Sequence, residues 1–317
     1  MKLGLTLSAE EHPPRRLVDM AVLAEDRGFD FVSISDHYHP WTSSQGHSPF
    51  VWSVLGGIAL ATDSVEVGVG VSCPILRIHP GILAQAVATT GVLLEGRLVW
   101  GVGTGENLNE HVLGDPWPTY EVRAEMLEES LELIRRLWTE DSVTHRGQYY
   151  LVEDARVLDR PEDPVPIVIS AFGEKSADLA ARAGDGLWLS SFNPETVEAF
   201  KKAGGSGPIF SQLTVCWGPD RKKAIELAHR QWPNTGLPGQ LNQELRTILD
   251  FEQASEMVTP EVVAGKVPCG PDPAPIIEKM KEARDGGVDH FYFHQIGDDQ
   301  EGFVDFWEKE LRGSLDA

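Results

Sequence analysis

Cysteine is scarce in this sequence: three in 317 residues, Cys73, Cys216 and Cys269, far apart and without a C-x-x-C spacing. That excludes a disulfide framework and a zinc knuckle. Long apolar runs are missing too. No stretch approaches the ~20 residues that cross a bilayer, and the short run Met1–Leu7 gives way at once to Glu10, Glu11 and Pro13, unlike a signal peptide. The expectation is a cytoplasmic protein without membrane association. Basic residues are few, 27 Lys and Arg against 49 Asp and Glu, for a formal net charge of -22. Nucleic acid, with its phosphates, would be repelled. No low-complexity tract or long Pro/Gly/Ser linker divides the chain, the Gly204-Gly-Ser-Gly207 run being too short, so one domain over residues 1–317 is expected.

What is present is alternation. Leu3–Leu7, Phe29–Ile34, Val65–Val71, Arg97–Val102, Val165–Ser170, Gly186–Leu189, Ile209–Trp217 and His290–Gln295 read as eight strands. Between them lie helical stretches. One opens at Pro13-Pro14, repeats Leu17, Met20, Ala21 and Ala24 at helical spacing and stops at Gly28. Others cover Phe50–Ala61, His79–Leu94, Pro118–Trp138, Lys175–Ala183, Glu195–Ala203, Ala274–Gly286 and Phe303–Leu311. Such alternation predicts a parallel sheet with right-handed crossovers, and eight repeats favour a closed (β/α)8 TIM-like barrel. Two segments fall outside the pattern: an extended excursion at Val143–Val152, and an irregular helix-rich stretch from Asp220 to Val267, broken by Pro233, Pro238 and Pro260. They are expected as insertions after the fourth and seventh strands.

In such barrels the reacting groups sit at strand C-termini, and three of those ends carry chemistry. The second strand runs into Asp36-His-Tyr-His-Pro-Trp41. His37 beside a carboxylate suits a general acid or base, and the Trp41 indole suits the wall of a planar cofactor or a sugar ring, or plain packing. A metal reading of Asp36, His37, His39 and His47 lacks a carboxylate-rich partner motif, and no metal is expected. The fourth strand ends in Gly101-Val-Gly-Thr-Gly-Glu-Asn-Leu-Asn109; Glu106 stands where a dinucleotide fingerprint requires glycine. Its glycines admit a flat ligand, with Glu106 as proton donor or acceptor and Asn109 as hydrogen-bond partner. Ser170-Ala-Phe-Gly-Glu-Lys-Ser176 joins the fifth strand to a helix start, where backbone N–H groups, helped by Lys175, would bind a phosphate or merely be capped. Glu10 is a further carboxylate at the rim or a helix cap. Cys73, with no assignable partner, reads as a small buried thiol.

Ser35-Asp-His-Tyr-His-Pro-Trp41, Gly101-Val-Gly-Thr-Gly-Glu106 and Ala183-Gly-Asp-Gly186 together resemble the luciferase-like flavin and deazaflavin oxidoreductases, in particular the branch of the coenzyme F420-dependent glucose-6-phosphate dehydrogenases. The likeness runs through most of the chain, most clearly over residues 1–190 and at His290–Gln295. It implies a TIM-like barrel, a homodimer, and F420 at the C-terminal rim beside a non-proline cis peptide at Gly70–Val71. By position it implies cofactor contacts from Asp36, Gly70, Val71, Thr104, Asn109 and the turn containing Ala171, Phe172, Gly173 and Lys175. It gives His37, Trp41, Glu106 and Glu10 to the chemistry: hydride passes from an alcohol or hemiacetal carbon to C5 of the deazaflavin, His37 or Glu10 with Trp41 handles the hydroxyl proton, and Glu106 serves N1.

One departure stands out. Where members that oxidise sugar phosphates carry basic side chains around the phosphate, this sequence has Asn193, Gln253 and Lys266. A phosphate dianion would lack its charge-assisted hydrogen bonds, so glucose 6-phosphate is expected to be a poor substrate, with a neutral sugar, another alcohol or an activated double bond favoured. Two rival readings are an FMN-dependent monooxygenase and a non-catalytic deazaflavin-binding barrel. The Asp-His-x-x-Pro-Trp and Gly-Thr-Gly-Glu segments weigh against the first, and Glu106, His37 and Trp41 standing together against the second.

Overall fold

The computed structural model describes residues 1–315. The chain opens with β1 (Lys2–Leu7), α1 (Pro14–Arg27), β2 (Phe31–Ile34), α2 (Val51–Ala61), β3 (Glu66–Ser72), α3 (Pro80–Leu93) and β4 (Leu98–Val102). A short α4 (Asn107–Glu110), the long α5 (Tyr120–Thr139) and the antiparallel pair β5 (Val143–Arg146) and β6 (Leu151–Ala155) follow. Then come β7 (Ile167–Ser170), α6 (Glu174–Ala183), β8 (Gly186–Leu189), α7 (Pro194–Lys202) and β9 (Ile209–Val215). Five helices, α8 (Arg221–Gln231), α9 (Leu241–Glu244), α10 (Ile248–Ser255), α11 (Pro260–Ala264) and α12 (Ala274–Asp285), lead to β10 (His290–Gln295) and α13 (Gln300–Phe306). Eight parallel strands close a barrel in the order β1-β10-β9-β8-β7-β4-β3-β2, the expected (β/α)8 architecture.

Local chemistry sets the element ends. In α1, Pro14 occupies a first-turn position that needs no N–H, and Gly28 closes the helix at φ 81° while donating to the Ala24 and Glu25 carbonyls. The next residues, Phe29 and Asp30, stay outside β2 although their composition reads as strand. The Phe29 amide also bonds the Ala24 carbonyl, its ring stacks on Trp307 at 3.7 Å, and Asp30 Oδ2 accepts the Leu3 amide. Tertiary partners claim them first. Beyond β9, Cys216 pairs with Cys269 across an isolated bridge and leaves the barrel sheet.

Side chains alternate along each strand. Residues such as Val32, Ile34, Ile169, Leu187, Phe291 and Phe293 face outward into the main core beneath the helices. The barrel interior is filled by a separate aromatic cluster: Phe31, Val168, Trp188, Phe210 and Tyr292. Trp188 stacks on Phe210 at 4.5 Å and donates its indole N–H to the Tyr292 hydroxyl at 2.6 Å. Such large rings need space from the other strands. A Cβ on Gly4 would lie 2.6 Å from the Phe31 ring, and one on Gly70 only 2.5 Å from Trp188. Truncating a buried ring of this kind to alanine costs about 3–5 kcal/mol. This plug makes the barrel a solid pedestal and confines any ligand to its mouth.

Candidate active site

The C-terminal ends of the strands surround a cavity of about 580 Å³, within the usual range for small-molecule and cofactor sites. Every residue singled out for chemistry lines it: Glu10, His37, Trp41 and Glu106. So do Asp36, Gly70, Val71, Thr104, Asn109, Phe172, Gly173 and Lys175 among the proposed cofactor contacts. Ala171 alone is placed elsewhere. It is buried, and its amide bonds the Trp188 carbonyl in the β7–β8 ladder, so it fixes the turn's root without reaching the cavity.

His37 stands at the centre of one wall. Its Nδ1 lies 2.6 Å from Glu10 Oε1, while Glu10 Oε2 accepts the hydroxyls of Ser8 and Ser35 at 3.0 and 2.9 Å. Burial works to raise the Glu10 pKa, but the His37 charge and these hydrogen bonds overcome it and bring the group down to about 2. Burial likewise opposes a charge on His37, and the adjoining carboxylates, Glu10 foremost, raise it above its ordinary value nonetheless. Glu106 moves opposite to Glu10. Burial and the Glu10 charge lift it above the usual carboxylate range, with only partial relief from His37. Trp41 closes this wall, its ring edge-on to His37 at 4.5 Å and tilted against Trp232 at 5.1 Å.

Beneath it, Asp36 Oδ1 pairs with the buried Arg77 guanidinium at 2.7 Å, and the Arg77 amide donates to Glu110 Oε2 at 2.9 Å. Burial pushes Glu110 up to about 7. Asn109 Oδ1 accepts the amides of Tyr38 and His39 at 2.8 and 3.0 Å, which ties the loop after β2 to α4. The same contact turns His39 away from His37; its Nδ1 meets the Leu108 carbonyl at 3.2 Å. Among the described residues no three His, Cys, Asp or Glu side chains are grouped to hold a metal ion.

On the facing side, the Gly70–Val71 peptide is cis, at the point where the β3–β4 register shifts between Val69 and Ser72. The turn before α6 carries a hydroxyl clamp: the amides of Phe172 and Gly173 both donate to Ser176 Oγ, at 3.0 and 3.3 Å. Lys175 reaches out to Glu121 at 2.9 Å on the exposed surface. Of the three positions compared with phosphate-binding members, none lines the cavity. Asn193 caps α7 through the Thr196 amide, and the Lys266 ammonium bonds the Thr235 carbonyl.

Several site residues escaped the sequence reading. Glu11, next to Glu10, pairs its buried carboxylate with His294 Nε2 at 2.8 Å, and His294 lines the cavity with Gln212 and Trp232. Consecutive glutamates thus hold two histidines, one in the loop after β2 and one on β10. Arg77, Glu110 and Tyr120 were missed as well. The polar residues on β9 and β10 carried a usable signal, since Gln212, Thr214 and His294 share the inward parity of Phe210 and Tyr292. Nothing local marks Arg77 or Glu110.

The luciferase-like monooxygenase family model matches residues 1–290. Among curated relatives, the F420-dependent glucose-6-phosphate dehydrogenase of Segniliparus rotundus is 37% identical over 99% of this chain and 98% of its own length. That of Nocardia farcinica is 36% identical over 100% and 98%. A solved F420-dependent secondary alcohol dehydrogenase, in complex with an F420–acetone adduct, superposes with a TM-score of 0.90 at 27% identity, covering 99% of this chain and 98% of that one.

Proposed function

The chain belongs to the luciferase-like monooxygenase family, and on that premise we propose that it is a coenzyme F420-dependent oxidoreductase acting on CH–OH groups. The observation that carries this reading is the convergence of His37, Trp41 and Glu106, from two distant segments, on one cavity. The cavity also suits a flat ring on its own terms. Asn109 Nδ2, Asp36 Oδ2 and Glu106 Oε2 are buried without partners among the described residues, and glycines 70, 103 and 105 line the wall. Such orphaned polar atoms are costly unless a ligand satisfies them.

When bound, the deazaflavin supplies a carbon, C5, that accepts hydride and handles single electrons and oxygen poorly. The protein's groups then divide the work. His37 faces the cavity and takes the hydroxyl proton as the carbinol carbon gives up hydride. Glu10, with one oxygen on His37 and the other on two serines, acts through the imidazole: it fixes the tautomer and favours the charged product of proton uptake. Glu106, which burial lifts above the usual carboxylate range, would supply the proton at N1. Asp36, Asn109, the Gly70–Val71 bulge and the start of α6 position the cofactor, the helix N-terminus taking its phosphate. Besides the imidazoles of His37 and His294, each already bonded to a glutamate, the Asp, Glu, Lys and Arg side chains on the cavity wall are six carboxyl groups (Glu10, Asp36, Glu106, Glu110, Glu121, Glu174) and one ammonium, Lys175. That balance favours a neutral alcohol or sugar over glucose 6-phosphate. The chain works as one domain, as a homodimer, in the cytoplasm.

Fluorescence titration with F420 and with FMN, followed by F420 reduction in His37→Ala and Glu106→Gln, tests the reading. F420 binds more tightly, and each substitution lowers kcat by about 10²-fold or more. Full turnover in both variants, or preference for FMN, rejects it.

A further inference from the structure

His37 lies beyond β2, and on β9, across β1 and β10 in the barrel order, a second polar row reaches the cavity. It is rooted in Glu11, whose Oε1 accepts the Gly297 amide at 3.1 Å and whose Oε2 receives His294 Nε2 at 2.8 Å. His294 Nδ1 meets Thr214 Oγ1 at 3.3 Å, and Thr214 Oγ1 in turn accepts Gln212 Nε2 at 3.1 Å. Each link sets the next. A carboxylate on Nε2 places the proton of a neutral imidazole there, leaving the Nδ1 lone pair for the Thr214 hydroxyl. The threonine oxygen keeps a lone pair for the glutamine N–H. The row therefore ends in an amide that gives one N–H to Thr214, while its Oε1 has no partner among the described residues and the side chain lines the cavity.

From this we infer that Gln212 is a second substrate-binding residue, which accepts a hydrogen bond from a hydroxyl other than the one oxidised and so selects neutral diols and polyols over monohydric alcohols. The inference rests on the oxidoreductase reading above. The walls agree with it: Trp232 stands edge-on to His294 at 4.5 Å and beside Trp41 at 5.1 Å, so indoles that take the C–H face of a polyol lie between the two histidines. Glu11, His294 and Thr214 are positioning residues that act through the amide.

A matched pair, cis-1,2-cyclohexanediol and cyclohexanol, tests this with full-length protein and F420. The wild type has a kcat/KM ratio favouring the diol by about tenfold, the scale of one neutral hydrogen bond. Gln212→Met brings that ratio close to one, mainly through KM for the diol. Thr214→Val shifts it the same way by a smaller factor. Saturation-transfer NMR on cofactor-free protein reads the same preference without turnover, and F420 affinity reports that the variants fold. Equal rates on both alcohols in the wild type, or an unchanged ratio in Gln212→Met, overturn the second subsite and leave the oxidoreductase standing. Failure of every alcohol to reduce bound F420 removes the function itself, and the subsite with it.

Discussion

Replacing Glu10 with Gln keeps the shape of a buried group and deletes its charge. In the fold Glu10 ionises near 2 against an ordinary 4.5, a gap worth about 3 kcal/mol at roughly 1.4 kcal/mol per pKa unit. Because the folded value is depressed, that stabilisation is present above pH 4.5 and drains away as the pH falls towards 2. His37 is displaced upward from 6.5, so its share is complete below 6.5 and is lost as the pH climbs through the raised value. The two halves of this ion pair overlap fully only between pH 4.5 and 6.5. The wild type exceeds Glu10→Gln by up to about 3 kcal/mol in that window and by less on either side. Urea unfolding followed by tryptophan fluorescence, from about pH 3 to about pH 9, measures the difference directly. Turnover gives a second reading. Without the carboxylate, burial governs His37 and drops its pKa, so the acid limb of alcohol oxidation moves to lower pH. A stability difference independent of pH, or an acid limb that stays in place, refutes the coupling.

Gly70→Ala places a methyl 2.5 Å from the Trp188 ring and 2.8 Å from Ser33 Oγ, both fixed by the barrel interior. It destabilises the fold by about 1–3 kcal/mol and weakens F420 binding, as thermal unfolding and fluorescence titration will read. Glucose 6-phosphate gives a kcat/KM at least about tenfold below that of glucose, because the cavity wall offers it a single ammonium already engaged by Glu121. Steady-state kinetics on the two sugars decide the point, and efficient oxidation of the phosphate reverses it.

Much of this site was legible in the chain because a barrel writes its chemistry at strand ends, in short contiguous runs. The runs after β2 and β4 bring Asp36, His37 and Trp41, and Gly103 to Glu106 with Asn109, to the cavity, so residue type and position placed them there. The boundaries were less secure where packing overrules composition. Phe29 has the apolar letter of a strand residue, yet its ring belongs to Trp307, nearly the whole chain away. Arg77 was out of reach for a related reason. Its role exists only because Asp36 and Glu110 arrive from two other segments to enclose it, and no spacing within one segment encodes a three-way meeting.

The Glu11–His294 pair is the instructive middle case. The partners are 283 residues apart, but closure of the barrel places β10 against β1, so each lies near the end of one of two neighbouring strands. In His290–Gln295, Phe291 and Phe293 face the outer core, which sends His290, Tyr292 and His294 inward. A histidine at the last inward position of a strand is at the mouth, and a buried one there needs acceptors. Of the consecutive glutamates after β1, Glu10 meets the histidine that follows β2, and Glu11 is left to meet the one on β10. Neighbourhood in the barrel, applied to the parity of each strand, therefore brings one imidazole from either side of β1 to the two carboxylates that follow it.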